Sequence, residues 1–367
     1  MPGETGRESE GKKTLYWYTR LGTITLIETV FTRGRRGPEL RPFSTSAEVV
    51  CRGYSVGLQR ALTDFGADEP FAAASAKLRE HYGIAVPVSA VRTITESHGA
   101  AMAASQPHGS AWPTAPGVPR LIGEMDGSMV PRVDTAPPGA GVDRRKTRRL
   151  SWTEARLCLV REPGSVTPHF GATMGSVEAA GDQLWECAVA AGLGSQTQLH
   201  AVGDGAPWIA DQVDRRFGTQ ATYLIDFCHV CDYLAAAAVV VAAPNPAAWM
   251  AVQKPALKMN GWAAVLDTLR PWCEPADVPD PEAPVRACVR YLSTRTDALD
   301  YQGALIAKLP IGSGEIESAH RYIIQSRIKR AGTWWTADNL AHMLALRVLR
   351  ANGGWDGYWS GFTRQAA

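Results

Sequence analysis

Residues 121–227 alternate between strand-like and helix-like patterns, and this alternation restricts the fold more than any other feature of the sequence. In chain order we predict strands at 121–130, 151–161 and 166–174, a helix at 176–191, a strand at 198–202, a helix at 207–217 and a strand at 221–227. Three consecutive strands followed by alternating elements predict an α/β fold, with a mixed sheet flanked by helices. Hydrophobic residues make up 45% of the chain and charged residues 20%, values that exclude a largely disordered protein.

Three glycine-containing segments place an acid where a predicted strand ends or a helix begins. They are Glu-Met-Asp-Gly at 124–127, Gly-Asp-Gly-Ala-Pro-Trp at 203–208, and Gly-Ser-Gly-Glu-Ile-Glu-Ser-Ala-His-Arg at 312–321. Ligands of open α/β sheets gather at the carboxyl ends of strands near a topological switch. If the first and fourth strands are neighbours, Asp126 and Asp204 meet at such a place, as in the ribonuclease-H-like arrangement. Converging carboxylates are ligands that Mg²⁺ prefers, and a pair of such ions can promote phosphodiester chemistry.

Helical patterns lie on both sides of this region. We predict one or two strands between Leu15 and Phe43, around Arg33–Gly37. A helix that Gly66 ends follows, then a second helix between Pro70 and Gly83, and a third that Ser89 caps. A helix-turn-helix unit whose last helix reads a DNA groove and a plain three-helix bundle fit this pattern about equally well. The predicted ranges are a polar tail and β-rich segment at 1–54, the helix-turn-helix-like domain at 55–104, a linker at 105–118, the first part of the core at 119–228, an α-helical insertion at 229–310, and the third-acid helix with a C-terminal helix at 311–367.

Charge, cysteine distribution and hydropathy restrict the cellular compartment and the partners that we expect for the protein. The net charge of +2 is too small to indicate a nucleic-acid partner by itself. The seven cysteines are scattered, which is typical of a reducing compartment. The longest apolar run, Leu234–Ala243, is too short to span a bilayer. We therefore expect a soluble cytoplasmic protein without a membrane partner.

The motifs themselves carry a specific resemblance. Gly-Asp-Gly-Ala-Pro-Trp-Ile at 203–209, Asp-Phe-Cys-His at 226–229 and Ile-Gly-Ser-Gly-Glu-Ile-Glu-Ser-Ala-His at 311–320 resemble the DDE transposases of bacterial insertion sequences. The most similar branch is the ISKra-like group, which is related to Mutator-type transposases. The resemblance runs from about Leu121 to Gly353. It implies a ribonuclease-H-like core, interrupted by a helical insertion before the third acid.

The resemblance also implies roles for individual residues. Asp126, Asp204 and Glu317 correspond to the three catalytic acids, which bind two Mg²⁺ or Mn²⁺ ions. Glu315 competes with Glu317 for the third role, and the two lie about 200° apart around a helix, so only one can face a shared metal site. The family pattern favours Glu317, the acid before Ser318-Ala319. Asp226 and His229 match an Asp-x-x-His element that supports the active site.

The implied substrate is double-stranded DNA, as terminal repeats and as target. An enzyme of this kind cleaves the element ends and joins them to target DNA, works as at least a dimer, and is associated with the bacterial nucleoid. The predicted DNA-binding residues are Arg92, Arg144, Arg145, Lys146, Arg148, Arg149, Arg321, Arg327, Lys329 and Arg330. Two alternatives remain open. One is a nuclease of the same fold that does not join strands, and the other is a catalytically retired, DNA-binding descendant of a transposase.

Overall fold

The chain divides into two compact units. One contains Met1–Gln106 together with Ile323–Ala367, and the other is Pro107–Tyr322. The computed structural model describes residues 8–32, 39–46, 49, 53–136 and 143–366, except the side chains at 144, 145, 365 and 366. None of the helices in this described part is long and apolar enough to cross a membrane. The predicted ranges given above stay predictions.

The elements are numbered in chain order. The strands are β1 (Glu8–Thr19), β2 (Gly22–Thr32), β3 (Arg120–Asp134), β4 (Arg149–Arg161), β5 (His169–Thr173), β6 (Gln198–Gly203) and β7 (Ala221–Ile225). The α-helices are α1 (Pro42–Ser46), α2 (Val56–Asp68), α3 (Phe71–Tyr82), α4 (Val88–Ala104), α5 (Val177–Ala190), α6 (Pro207–Phe217), α7 (Phe227–Val241), α8 (Pro246–Lys258), α9 (Trp262–Leu269), α10 (Pro284–Ser293), α11 (Tyr301–Ile306), α12 (Gly314–Ala319), α13 (Ala337–Ala351) and α14 (Trp355–Ala366).

A five-stranded mixed sheet organises the unit Pro107–Tyr322. Its strand order is β5-β4-β3-β6-β7. The pairs β5–β4 and β4–β3 are antiparallel, whereas β3–β6 and β6–β7 are parallel. Helices α5 and α6 flank the sheet and bury a core that includes Leu121, Leu184, Leu199 and Ile209. The predicted element order is confirmed, and the architecture is compatible with a ribonuclease-H-like fold.

Local signals in the sequence explain why these elements start and stop where they do. Ser176 caps α5, because its hydroxyl accepts a hydrogen bond from the N–H of Ala179 at 3.4 Å. Pro207 occupies the first turn of α6, where its missing N–H leaves no helical bond unmade. Gly218, with φ of +50°, follows the last residue of α6. β6 and β7, which flank α6 in sequence, pair in parallel, so both point their carboxyl ends at the same edge of the sheet.

Helices α7 to α11 follow the sheet and form a second hydrophobic core. It contains Val230, Leu234, Leu266 and Leu292, and it continues into Leu224 and Ile225 of β7. Packing against β7 therefore fixes this helical segment to the sheet. The predicted helical character of residues 229–310 is observed.

The N-terminal segment contains strands, as predicted, but they lie before Arg33–Gly37 and form a hairpin. β1 and β2 pair antiparallel, and Thr19 opposite Gly22 closes the turn. The turn thus lies at residues 20 and 21, well before Arg33–Gly37, which falls outside the described residues. Residues 8–13, at the polar start of the predicted 1–54 segment, belong to β1. Alternating side chains along both strands, with Leu15 and Val30 buried, explain why the segment forms a hairpin.

Helices α2, α3 and α4 pack around Leu58, Leu62, Leu78 and Val91. Gly83 ends α3 as predicted, with a left-handed φ of +65°. The prediction for Gly66 was wrong, since α2 continues to Asp68. Gly66 is instead a close-contact position, where an added Cβ would lie 2.2 Å from Oγ1 of Thr95 on α4. Ser89 also lies inside α4, whose N-cap residue is Pro87.

The C-terminal helices complete this unit. α13 packs along α4, and Met102 and Leu346 share a buried cluster with Ala67. α14 was not predicted. A DNA-reading role for α2 to α4 stays a prediction.

Candidate active site

Asp126 and Asp204 lie at the same level of neighbouring parallel strands. Asp204 directly follows β6, whereas Asp126 lies inside β3, which continues to Asp134, so the prediction of an acid at a strand end is wrong for Asp126. β3 and β6 pair through Glu124 and Val202, and each acid lies two residues beyond this pair. Both side chains are half-buried. Oδ1 of Asp126 accepts a hydrogen bond from the N–H of Gly127 at 2.7 Å, and Oδ1 of Asp204 accepts one from the N–H of Ala206 at 2.8 Å. The backbone therefore orients both carboxylates.

Asp226 joins three segments that are far apart in sequence. Its N–H donates to the carbonyl of Gly203 at 2.7 Å, next to Asp204. Its Oδ1 accepts from the N–H of Cys228 at 2.5 Å and so caps α7. Its Oδ2 accepts from both the N–H and the hydroxyl of Ser313, at 2.6 and 2.5 Å. The buried carboxylate thus fixes the loop before α12 against the carboxyl end of β7.

Helix α12 brings Glu317 to the Asp-x-x-His element. Asp226, His229 and Glu317 each offer one ligand atom, and these three atoms lie within 4.8 Å of one another. Within the described residues this is the one such group of His, Cys, Asp or Glu side chains, and Asp126 and Asp204 do not belong to it. A common site for Asp126, Asp204 and Glu317 stays a prediction.

The chemistry of this group suits a divalent metal ion. Glu317 is exposed and His229 half-buried, so both are open to an ion from solvent. A carboxylate has about four lone-pair sites, and Asp226 already uses three of them for Cys228 and Ser313. We therefore regard Asp226 chiefly as a residue that supplies negative charge and holds Glu317 in place. The identity of the ion as Mg²⁺ or Mn²⁺ stays a prediction.

The structure separates the two glutamates that compete for the third position. Both carboxylate oxygens of Glu315 accept hydrogen bonds from Arg161 of β4, at 2.6 and 2.7 Å. Glu317 instead lies with Asp226 and His229. This arrangement agrees with the preference for Glu317, because a bidentate guanidinium partner already occupies Glu315.

Two residues beside the acids were missed from the sequence. Glu124 is 1% exposed and accepts a hydrogen bond from the N–H of Ile316 at 2.8 Å. Burial raises the pKa of Glu124 to about 7, an effect that the Ile316 N–H partly opposes. Glu124 lies two residues before Asp126, so the alternation of a strand places both on one face. The two-residue spacing between Glu124 and Asp126 in a predicted strand is the sequence signal that could have identified Glu124.

His320 is the second missed residue. It is 3% exposed, and its Nε2 lies 3.2 Å from Oδ2 of Asp126, although the angles do not make a hydrogen bond. His320 begins a π-helical turn, His320–Gln325, directly after α12. Such turns are frequent at functional sites. α12, through Ile316, and the turn after it, through His320, therefore contact the same face of β3 that carries Glu124 and Asp126.

The predicted DNA-binding residues fall into different environments. Exposed side chains belong to Arg92, Lys146, Arg148, Arg149, Arg321, Lys329 and Arg330. Arg330 is also paired, since it donates to Glu69 at 3.1 Å. The side chains of Arg144 and Arg145 lie outside the described residues.

Arg327 corrects the prediction for the basic run after Glu317. It is 1% exposed, and its guanidinium lies 4.9 Å from the ring centre of Phe71 and 4.8 Å from that of Trp335. Its Nε donates to the carbonyl of Gly66 at 3.0 Å. A side chain enclosed in this way packs the helical unit and presents no charge to a phosphate in this conformation.

Comparison with known proteins adds no assignment to this geometry. The chain matches no protein-family model, and no curated protein is similar enough to be identified as a relative.

Proposed function

We propose that the chain is a DDE transposase that cleaves the ends of a DNA element and joins them to target DNA. The proposal rests chiefly on one observation. The short helix after Gly-Ser-Gly brings Glu317 to Asp226 and His229, and the same helix and its following turn contact Glu124 and Asp126 through Ile316 and His320. α12 and its following turn thus link β3 to the Asp226–His229 segment beside the carboxyl end of β7, and α/β sheets bind ligands at the carboxyl ends of their parallel strands.

In this proposal Asp126, Asp204 and Glu317 hold two Mg²⁺ or Mn²⁺ ions. When bound, such ions supply activation of the attacking oxygen and charge stabilisation of the leaving oxygen. Asp226 keeps α12 in position, because it binds both groups of Ser313. Arg161 keeps Glu315 away from Glu317 by holding both of its oxygens.

DNA would be bound by exposed basic side chains near these acids. Arg321 is the second residue of the π-helical turn after α12 and is exposed, a position suited to a phosphate close to Glu317. Contacts of this type set affinity and its salt dependence, and they carry no sequence information. Joining two ends to one target requires at least two copies of the chain on double-stranded DNA.

The test compares Glu317→Gln with Glu315→Gln in the full-length protein. The substrate is a labelled duplex carrying the genomic sequence that borders the gene, with a supercoiled plasmid as target and Mn²⁺ as the ion. Loss of one acid removes several kcal/mol of transition-state stabilisation, so we expect Glu317→Gln to lower cleavage about 100-fold or more. Glu315→Gln, whose carboxylate faces Arg161, is expected to keep most of the activity.

The products separate the proposal from its alternatives. Released 3′-hydroxyl ends that become joined to the plasmid support a transposase. Cleavage without any joined product would identify a nuclease, and tight binding without cleavage would identify a retired DNA-binding protein. Full activity of Glu317→Gln would contradict the proposed site.

A further inference from the structure

Side chains of the helical segment inserted into the core bind the turn that carries Asp204. The hydroxyl of Tyr291 on α10 donates to the carbonyl oxygen of Asp204 at 2.6 Å. Nε of Arg295, just after α10, donates to the carbonyl oxygen of Gly205 at 2.9 Å. Two successive carbonyl groups of the Asp204 turn are thus bound by one side chain of α10 and one side chain just after it.

Both donors are themselves fixed. Tyr291 is 6% exposed, and its ring stacks on that of Tyr233 with the centroids 4.0 Å apart. The guanidinium of Arg295 lies 4.6 Å from the centre of the Tyr291 ring, and its Nη1 donates to the carbonyl of Tyr291 at 3.3 Å. Val285, Cys288 and Leu292 anchor α10 in the buried cluster. The two donors therefore act as one rigid unit.

Gly205 shows how closely this unit approaches the turn. A Cβ at Gly205 would lie 2.5 Å from the hydroxyl of Tyr291, and the residue has a left-handed φ of +83°. From the other side, the N–H of Gly205 donates to the hydroxyl of Tyr223 on β7 at 3.1 Å. Asp204–Gly205 is consequently held by tyrosines from both the sheet and the insertion, and only glycine fits between them.

We infer that Tyr291 and Arg295 are positioning residues for Asp204, which makes the helical insertion part of the metal site. The inference rests on the proposed function, because it takes Asp204 as a metal ligand. The hydrogen bonds from Tyr291 and Arg295 to both carbonyls restrain rotation of the turn and thereby hold the Asp204 carboxylate in one direction. Groups that orient a metal ligand in this way typically change metal affinity about 10- to 100-fold when they are removed.

The test is Tyr291→Phe in the full-length protein, with Tyr301→Phe as matched control. Tyr301 belongs to the same buried cluster, is fully buried, and its hydroxyl has no hydrogen-bond partner among the described residues. Both substitutions remove one hydroxyl and keep the ring. Mn²⁺ binding is measured by electron paramagnetic resonance of the free ion, and folding by thermal unfolding.

We expect Tyr291→Phe to weaken Mn²⁺ binding about 10-fold, and Tyr301→Phe to leave it unchanged. Arg295→Gln is a second variant with the same expected direction. In DNA cleavage, Tyr291→Phe should lower kcat and raise the Mn²⁺ concentration for half-maximal rate, with the KM for DNA unchanged. A general loss of structure would instead lower the melting temperature and affect both tyrosine variants.

The outcomes distinguish this inference from the proposed function. Unchanged Mn²⁺ binding in Tyr291→Phe, or an equal loss in Tyr301→Phe, overturns the positioning role even if the wild type transposes DNA. Selective loss of Mn²⁺ binding in Tyr291→Phe supports the positioning role even if the wild type cleaves no DNA, and in that case only the transposase proposal falls. A wild type that binds no Mn²⁺ overturns both.

Discussion

Single residues in one basic run have different tasks in this protein. Arg321, Arg327, Lys329 and Arg330 lie within ten positions and look alike in the sequence. Arg321 is exposed, Arg330 donates to Glu69, and Arg327 is enclosed by two aromatic rings. Burial lowers the pKa of Arg327 to about 10, so its guanidinium remains charged at neutral pH. The positive charge of Arg327 therefore lies inside the fold, where it makes cation–π contacts with Phe71 and Trp335.

Substitution by alanine should separate these tasks. Arg327→Ala removes a buried stem and its cation–π contacts, and we expect it to lower the free energy of unfolding by about 2–4 kcal/mol. Arg321→Ala should change stability by less than about 0.5 kcal/mol. It should weaken DNA binding instead and reduce the salt slope by about 0.9. Urea denaturation measures the free energy of unfolding, and fluorescence anisotropy at several salt concentrations measures DNA affinity and its salt slope. A stable Arg327→Ala variant with reduced DNA affinity would contradict the assignment.

At the scale of elements, α12 depends on tertiary contacts for its existence. It has six residues, too few for an isolated helix in water. Its start is bound by the carboxylates of Glu124 and Asp226, through the N–H groups of Ile316 and Ser313. We predicted a single third-acid helix, whereas the structure has α12 followed by the π-helical turn. Periodicity alone does not reveal this break, since the apolar positions continue through it.

His98 links three helices and should make stability depend on pH. Its Nε2 contacts Oε1 of Gln59 on α2, and its Nδ1 contacts the hydroxyl of Tyr358 on α14, both at 2.8 Å. Burial lowers the pKa of His98 to about 4 in the folded protein. Because the unfolded pKa is about 6.5, the fold favours the neutral ring. This contribution is complete above pH 6.5 and is lost as the pH falls towards 4, by about 1.4 kcal/mol per unit and roughly 3 kcal/mol in total.

Urea denaturation at pH 7.5 and pH 5 checks this expectation. The wild type should lose roughly 2 kcal/mol more than His98→Gln over this interval, because the glutamine does not titrate. Other histidines titrate equally in both proteins, so the comparison isolates His98. An identical loss in the two proteins would show that His98 is not the group responsible.

For the whole molecule, the division into two units separates the candidate site from much of the remaining chain. Asp126, Asp204, Asp226, His229 and Glu317 all belong to Pro107–Tyr322. His98 and Arg327 belong to the other unit. A metal ion bound to these acids acts directly on one unit only, whereas protonation of His98 acts on the other.

Metal binding should therefore stabilise the molecule unevenly. Mn²⁺ at about 100 times its dissociation constant adds about 2.7 kcal/mol to stability when only the folded state binds it. We expect slower amide hydrogen exchange in Pro107–Tyr322, reversed by EDTA, with little change in the other unit. The double variant Asp126→Asn/Asp204→Asn should lose the effect. Equal protection in both units, or protection that survives in the double variant, would argue against a site at these acids.

The sequence by itself determined the order and type of the sheet elements, because alternation, helical spacing and caps are local signals. α6 begins and ends at the predicted residues, and Asp126, Asp204 and Glu317 stand out because each lies in a short glycine-containing motif. Tertiary structure decided the partners of these acids. Glu124 meets Ile316 across 192 positions, and Tyr291 meets Asp204 across 87. No local pattern encodes such contacts, since they depend on which strand ends and helix faces the packed core brings together.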